Sequence, residues 1–280
     1  MLSFLFLLIL RLDTIKALLN LCKNNQANGL QQFEALISLT NLISVGEEEK
    51  NGFVAYQGIN TIFYLLYTDN MMIRRVAAET LCNISSHKDF IPVICNKDKL
   101  SLFMGLCQEW NHDTDEEKLV RNHSPGNFNL SPYYYTARAA AGAFATASGD
   151  PSLTTCMCSM ESSFVDTIHS LLASNEDELI IRALVIIQNI TGTGNYTDEL
   201  IDSIKNEKKK GTKFNEEDSK KIENILKEWE SISSAGRKAS ELIIKNNVIN
   251  LFQPLIASLN HPEYQEIVKI IIQNLSKHTK

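Results

Sequence analysis

The chain has 280 residues, 44% of them hydrophobic and 21% charged, a composition that excludes a disordered chain and supplies material for a large buried core. A formal net charge of −6 gives no overall attraction to a phosphate backbone and argues against nucleic acid as a partner. The six cysteines (Cys22, Cys82, Cys95, Cys107, Cys156 and Cys158) lie mostly in apolar stretches, where a thiol behaves as a small hydrophobe, and they point to a reducing, cytoplasmic setting.

The opening run from Met1 to Leu10 is apolar, yet no basic segment precedes it and no small-residue cleavage site follows it. It is also too short to span a bilayer, so no membrane association is expected. It reads as a helix of a solenoid whose preceding repeats lie outside this sequence. Beyond it one phrase recurs, a helix closing on aliphatic-x-Asn-aliphatic: Leu39-Thr-Asn41-Leu42, Leu81-Cys-Asn83-Ile84, Ile187-Gln-Asn189-Ile190 and Ile272-Gln-Asn274-Leu275. Asn41 and Asn83 are 42 positions apart, within the period of a helical repeat. The helix Tyr133 to Ser148 carries the same pattern with Ala143 in the asparagine slot.

Within a unit the order repeats. From Glu47 to Ser86 a short helix runs to Tyr56, Gln57-Gly58 turns the chain, a second helix covers Ile59 to Tyr67, and Thr68-Asp69-Asn70 precedes a long third helix. On that third helix Ile73, Val76, Ala77, Thr80, Leu81 and Ile84 fall at spacings of three and four, one apolar stripe, with Arg74, Arg75, Glu79 and Asn83 largely off it. The same grammar is expected from Asp150 to Thr191, with Glu178 to Ile190 as third helix, and from Ser233 to Ser276, where Pro262 opens the last helix. Three helices per unit favour armadillo over HEAT repeats. The expected fold is therefore all-α: residues 1–280 as a single right-handed superhelical solenoid of armadillo-like three-helix repeats, about five of them with the first truncated. Two polar segments, 111–131 and 206–230, read as insertions at helix junctions.

Chemistry of the catalytic kind is missing from the pattern. Gly192-Thr-Gly194 follows a helix rather than a strand and reads as a helix C-terminal turn, not a phosphate loop. The histidines are scattered without zinc-ligand spacing, and His169 reads as a satisfied edge-of-core histidine. The acidic run Asp113, Asp115, Glu116 and Glu117 lacks the glycine and distal glutamate of a calcium loop. No enzyme, cofactor or metal site is expected.

A stack of three-helix units lines up its third helices along one face, a surface suited to holding another protein. Asn41, Asn83 and Asn189 recur there, and their amides suit either a bound peptide backbone or the ends of neighbouring helices. Arg74, Arg75, Glu79, Arg138, Glu178 and Arg182 are the charges on or beside that face. Tyr133-Tyr134-Tyr135 follows a Ser-Pro break at a helix start, and three consecutive tyrosines cannot all face the core, so at least one is expected at the surface as a client contact.

Phe33-Glu-Ala-Leu-Ile-Ser-Leu-Thr-Asn-Leu42, followed by Ile73-Arg-Arg-Val-Ala-Ala-Glu-Thr-Leu-Cys-Asn83, resembles the UCS domain of the myosin-folding co-chaperones. The alanine-rich helix Ala137 to Ser148 and the aliphatic helix Ile181 to Ile190 follow in that family's order, so the resemblance covers roughly Leu30 to Leu275, the two insertions departing from it. It implies an armadillo-type chaperone domain without ATPase activity that holds and helps fold the myosin motor domain. It also implies work with heat-shock chaperones through an N-terminal tetratricopeptide module, for which no 34-residue pattern precedes residue 30. On the same resemblance Asn41, Glu79, Asn83, Arg138 and Asn189 would line the client groove, and Arg75 and Arg182 join them as charges of the same third helices. A generic armadillo scaffold binding an extended peptide is the alternative. An importin-like adaptor would place tryptophans beside the asparagines, whereas Trp110 and Trp229 sit at or within the insertions.

Overall fold

The structure, a computed structural model, describes residues 2–24, 26–112, 131–193, 198–210, 216–252 and 262–278. Every regular element among them is helical: α1 (Leu2–Lys23), α2 (Gly29–Ile43), α3 (Glu47–Ala55), α4 (Gly58–Leu65), α5 (Met71–Ile84), α6 (Phe90–Ile94), α7 (Lys97–Leu106), α8 (Pro132–Ala147), α9 (Pro151–Ser159), α10 (Glu161–Leu172), α11 (Asp177–Gly192), α12 (Asp198–Lys209), α13 (Glu216–Lys245) and α14 (Pro262–His278). Short 3-10 turns cover Glu109–His112 and Val248–Leu251. Two compact units are distinguished, residues 1–147 with 173–182 and residues 148–172 with 183–280. No helix among the described residues is long and apolar enough to cross a membrane.

In the first unit the helix starts are written in asparagine. Asn28 accepts from the Gln31 N–H while the Gln31 side chain accepts from the Asn28 N–H, a reciprocal cap for α2. Asn70 accepts from the N–H groups of Met72 and Ile73 to start α5, and Asn96 does the same with Asp98 and Lys99 for α7. Between α3 and α4, Gln57 takes a left-handed conformation (φ 63°), and a Cβ on Gly58 would lie 2.5 Å from the Phe53 ring, so the turn needs glycine at the second position.

The stripe expected on α5 is buried in full, and α5 packs between α2 and α8. The Thr40 and Thr80 hydroxyls meet 2.7 Å apart in that interface. Each also lies 2.7 Å from the carbonyl four residues back, so one hydroxyl donates across to its neighbour while the other donates to its own helix. Phe103 of α7, fully buried, joins the first- and second-helix layers to α8: its ring centroid is 5.9 Å from Phe63, 6.5 Å from Phe90 and 5.2 Å from Phe144. Each buried phenylalanine ring contributes about 1.5–3 kcal/mol of hydrophobic stabilisation.

In the second unit Asp150 caps α9 with Pro151 in its first turn, and Leu153, Met157, Phe164, Ile168 and Leu171 form the core beneath α13. Gly236 sits where a Cβ would fall 2.3 Å from the Thr193 carbonyl, which lets α13 approach the end of α11 closely. The sequence reading began a repeat at Ser233; instead α13 runs unbroken from Glu216 to Lys245. Ile222, Leu226, Trp229, Ile232 and Ala235 continue one stripe at spacings of three and four, with no cap or breaker between Glu230 and Ser233. The described part of the 206–230 segment is accordingly helical, with Lys205 of α12 held over the Trp229 ring at 3.9 Å. Of the 111–131 segment, residues 113–130 and with them the acidic run lie outside the described residues.

Candidate functional site

The charged residues singled out on the third helices of the first unit form a connected row. Arg75 and Glu79, one turn apart on α5, pair at 3.0 Å, and the Arg75 guanidinium lies 4.6 Å from the centre of the Tyr135 ring on α8. On the other side Arg138 lies 5.9 Å from the same ring and donates through Nε to Glu178 Oε2 at the start of α11. Glu178 Oε2 also accepts from Arg182 Nη1 at 3.1 Å, again one turn along its helix. Gly142 of α8 leaves room for this: a Cβ there would stand 3.3 Å from Arg182 Nε and 3.0 Å from Cys82 Sγ. The row thus reads Glu79, Arg75, Tyr135, Arg138, Glu178, Arg182 across three helices, three guanidiniums against two carboxylates.

Its electrostatics follow from this layout. Partial burial works to raise the Glu178 carboxyl, but the hydrogen bond from Arg138 and the charges of Arg138 and Arg182 prevail and hold it below the usual carboxylate range. Burial pushes the Cys82 thiol up although Arg182 and Arg138 pull it down. Burial likewise lifts Cys22 and Cys158 to about 11, so these thiols are neutral at physiological pH and poor nucleophiles. All six cysteines are unbridged, and no cluster of three or more metal-ligating side chains occurs among the described residues.

The three tyrosines divide as geometry requires: Tyr134 is buried, while Tyr133 and Tyr135 are half-buried, with Tyr133 against the His112 ring at 5.5 Å and Tyr135 in the arginine row. The asparagines are used differently. Asn83 donates from Nδ2 to the Thr40 carbonyl at 3.3 Å, tying α5 to the preceding third helix. In the second unit Asn189 donates to Ser148 Oγ at 3.1 Å, and Asn274 to the Gln188 carbonyl at 3.3 Å. Asn41 is exposed and makes no such tie. Arg74 pairs instead with Glu109 at 3.2 Å beside the 3-10 turn. His169 is half-buried on α10, and its Nε2 finds no partner among the described residues, unlike the satisfied histidine expected. Sequence alone names Arg75, Tyr135, Arg138, Glu178 and Arg182 without joining them: the one-turn spacing of Glu178 to Arg182 is a local signal, but nothing local pairs Glu178 with Arg138.

Repeated three-helix units with capped third helices define the class, an all-α solenoid of armadillo type. No protein-family profile matches the chain. In sequence it is 25% identical over 181 residues to protein unc-45 homolog B of Xenopus tropicalis, an alignment covering 64% of this chain and 17% of that protein. It is 29% identical over 105 residues to protein unc-45 homolog B of Homo sapiens, covering 37% of this chain and 11% of that one. In structure it superposes on UNC-45 from Drosophila melanogaster with a TM-score of 0.62 at 24% identity, over 95% of this chain and 26% of that one. A designed armadillo repeat protein in complex with the peptide (KR)4 matches over 93% of this chain and 99% of its own, with a TM-score of 0.53 at 15% identity. These relatives bear out the resemblance to the UCS-domain myosin chaperones, and the matched part of the chain spans about a sixth of the length of the curated relatives.

Proposed function

We propose that this chain is a non-enzymatic, cytoplasmic protein-binding chaperone domain that holds the myosin motor domain and helps it fold, using the third helices of its first unit. The observation that carries the reading is the coincidence of two things: sequence relationship to unc-45 proteins, and a row of arginine, glutamate and tyrosine side chains across consecutive third helices. Arginine and tyrosine are the residue types that anchor protein interfaces. Client contact falls to Arg75, Glu79, Arg138 and Arg182, with the half-buried Tyr133 and Tyr135 at the edge of the same row and the exposed Asn41 on α2. A second reading, an armadillo scaffold for an extended peptide of another partner, draws support from the likeness to a designed armadillo protein that carries a peptide.

The test is thermal aggregation of a purified myosin motor domain with and without this chain, alongside a heat-labile protein unrelated to myosin. Selective protection of the motor domain, reduced by Arg138→Gln with Arg182→Gln, supports the chaperone reading. No protection, with capture of a different partner, moves the function to the scaffold reading.

A further inference from the structure

The arginine row has an internal asymmetry. Glu178 serves both Arg138 and Arg182 through one oxygen, and it is the most accessible member of that trio, its side chain 51% exposed against 39% for Arg138 and 24% for Arg182. Each guanidinium carries five N–H donors, and the contacts within the row engage one nitrogen of each. The arginines are also held in place from behind: Tyr135 lies against both Arg75 and Arg138, and Gly142 leaves the space beside Arg182. A surface whose cations are fixed and whose exposed anion is a single side chain on the first turn of a helix is arranged to exchange that anion.

We propose that this row recognises a carboxylate-bearing segment of the client, and that Glu178 occupies the carboxylate position in the unliganded chain. The inference rests on the reading above that the third helices of this unit are where the client binds. A basic segment finds no carboxylate here that is not already paired, since Glu79 is taken by Arg75 and Glu178 by two arginines. An acidic segment finds three preorganised guanidiniums, one in excess of the carboxylates present. Planar guanidiniums accept carboxylates in paired hydrogen bonds, and fixing them beforehand lowers the ordering cost of association. Glu178 is then a competitor built into the site, and removing its charge strengthens binding while leaving the cations in place.

The experiment uses the 280-residue chain and fluorescein-labelled hexaglutamate, read by fluorescence anisotropy, with hexalysine as the charge-reversed probe. Glu178→Gln is expected to bind hexaglutamate about 1.5-fold to fivefold more tightly than the parent, the range of a partly exposed ion pair converted to affinity. Arg138→Gln with Arg182→Gln is expected to lose the binding, and Glu161→Gln, whose carboxylate pairs with Lys245 in the second unit, is expected to leave it unchanged. Tighter binding by a variant does not arise from misfolding, so the Glu178→Gln arm stands even if the double variant fails to fold. Equal or weaker binding by Glu178→Gln, or hexalysine binding as tightly as hexaglutamate, overturns the proposal. The aggregation assay on the same proteins separates the two ideas. Retained myosin protection without a hexaglutamate response overturns the carboxylate site alone, while a Glu178-dependent response without myosin protection supports the site and overturns the chaperone reading.

Discussion

Replacing Asn83 with alanine removes a hydrogen bond that joins successive third helices in the first unit, from Nδ2 to the Thr40 carbonyl at 3.3 Å. The bond is half-buried and between neutral groups, which places its net contribution at about 0.5–1.5 kcal/mol. Alanine also has the higher helix propensity, which offsets part of that loss by about 0.5 kcal/mol. The same exchange at Asn41 changes propensity equally but breaks no tie, because that side chain is exposed and unengaged. The difference between the two variants therefore isolates the bond. For a chain of this size, about 1 kcal/mol corresponds to a melting temperature shift of roughly 2–4 °C, so Asn83→Ala should melt about that much below Asn41→Ala in circular dichroism at 222 nm. Identical melting of the two variants refutes the helix-tying role. Unchanged melting of Asn83→Ala combined with weakened client binding would mean that its amide faces the client.

Phe103→Ala leaves a void between Phe63, Phe90 and Phe144 and should lower unfolding free energy by about 3–5 kcal/mol in urea titration; a loss below about 1 kcal/mol would show that the aromatic cluster collapses around the gap. Gly236→Ala places a methyl group against the Thr193 carbonyl and should reduce protease resistance in the second unit, whereas Gly149→Ala, whose added Cβ meets nothing within 4 Å, should not. Glu178 titrates below the ordinary value of 4.5 because its arginine partners outweigh burial. A carboxyl depressed in the folded state contributes stability above its unfolded pKa and loses it as pH falls through the folded one. The melting difference between the parent and Glu178→Gln should therefore be constant near neutrality and shrink below about pH 4.5; a difference that grows on acidification contradicts the sign of the shift.

The repeat grammar was legible in sequence because its signals are local. Asn70, closing the Thr68-Asp69-Asn70 break, announces a helix start within three residues of the donors it caps, Gly58 marks a turn that admits no side chain, and the stripe from Ile73 to Ile84 follows helix periodicity alone. The row at the candidate site was legible only in pieces. Arg75 with Glu79, Tyr135 with Arg138, and Glu178 with Arg182 are one-turn pairs that spacing exposes, but the contacts of Arg75 with the Tyr135 ring and of Arg138 with Glu178 join helices far apart in sequence, and no local pattern encodes them. The direction of the asparagine amides was equally hidden. A recurring asparagine at a helix end is compatible with a client and with a neighbour, and only the position of the Thr40 carbonyl shows what Asn83 touches. α13 crosses the boundary drawn at Ser233 because the apolar stripe from Ile222 to Ala235 runs through it and keeps the helix intact.

A photoreactive benzoylphenylalanine introduced in place of Tyr135, irradiated with a purified myosin motor domain and compared with the same group at the exposed Glu47 on α3, tests the central claim by contact rather than by inference. The account predicts crosslinking from position 135 and not from position 47, abolished when excess unlabelled chain is added. Crosslinking from position 47 with none from position 135 would contradict it and place the client on another face of the repeats.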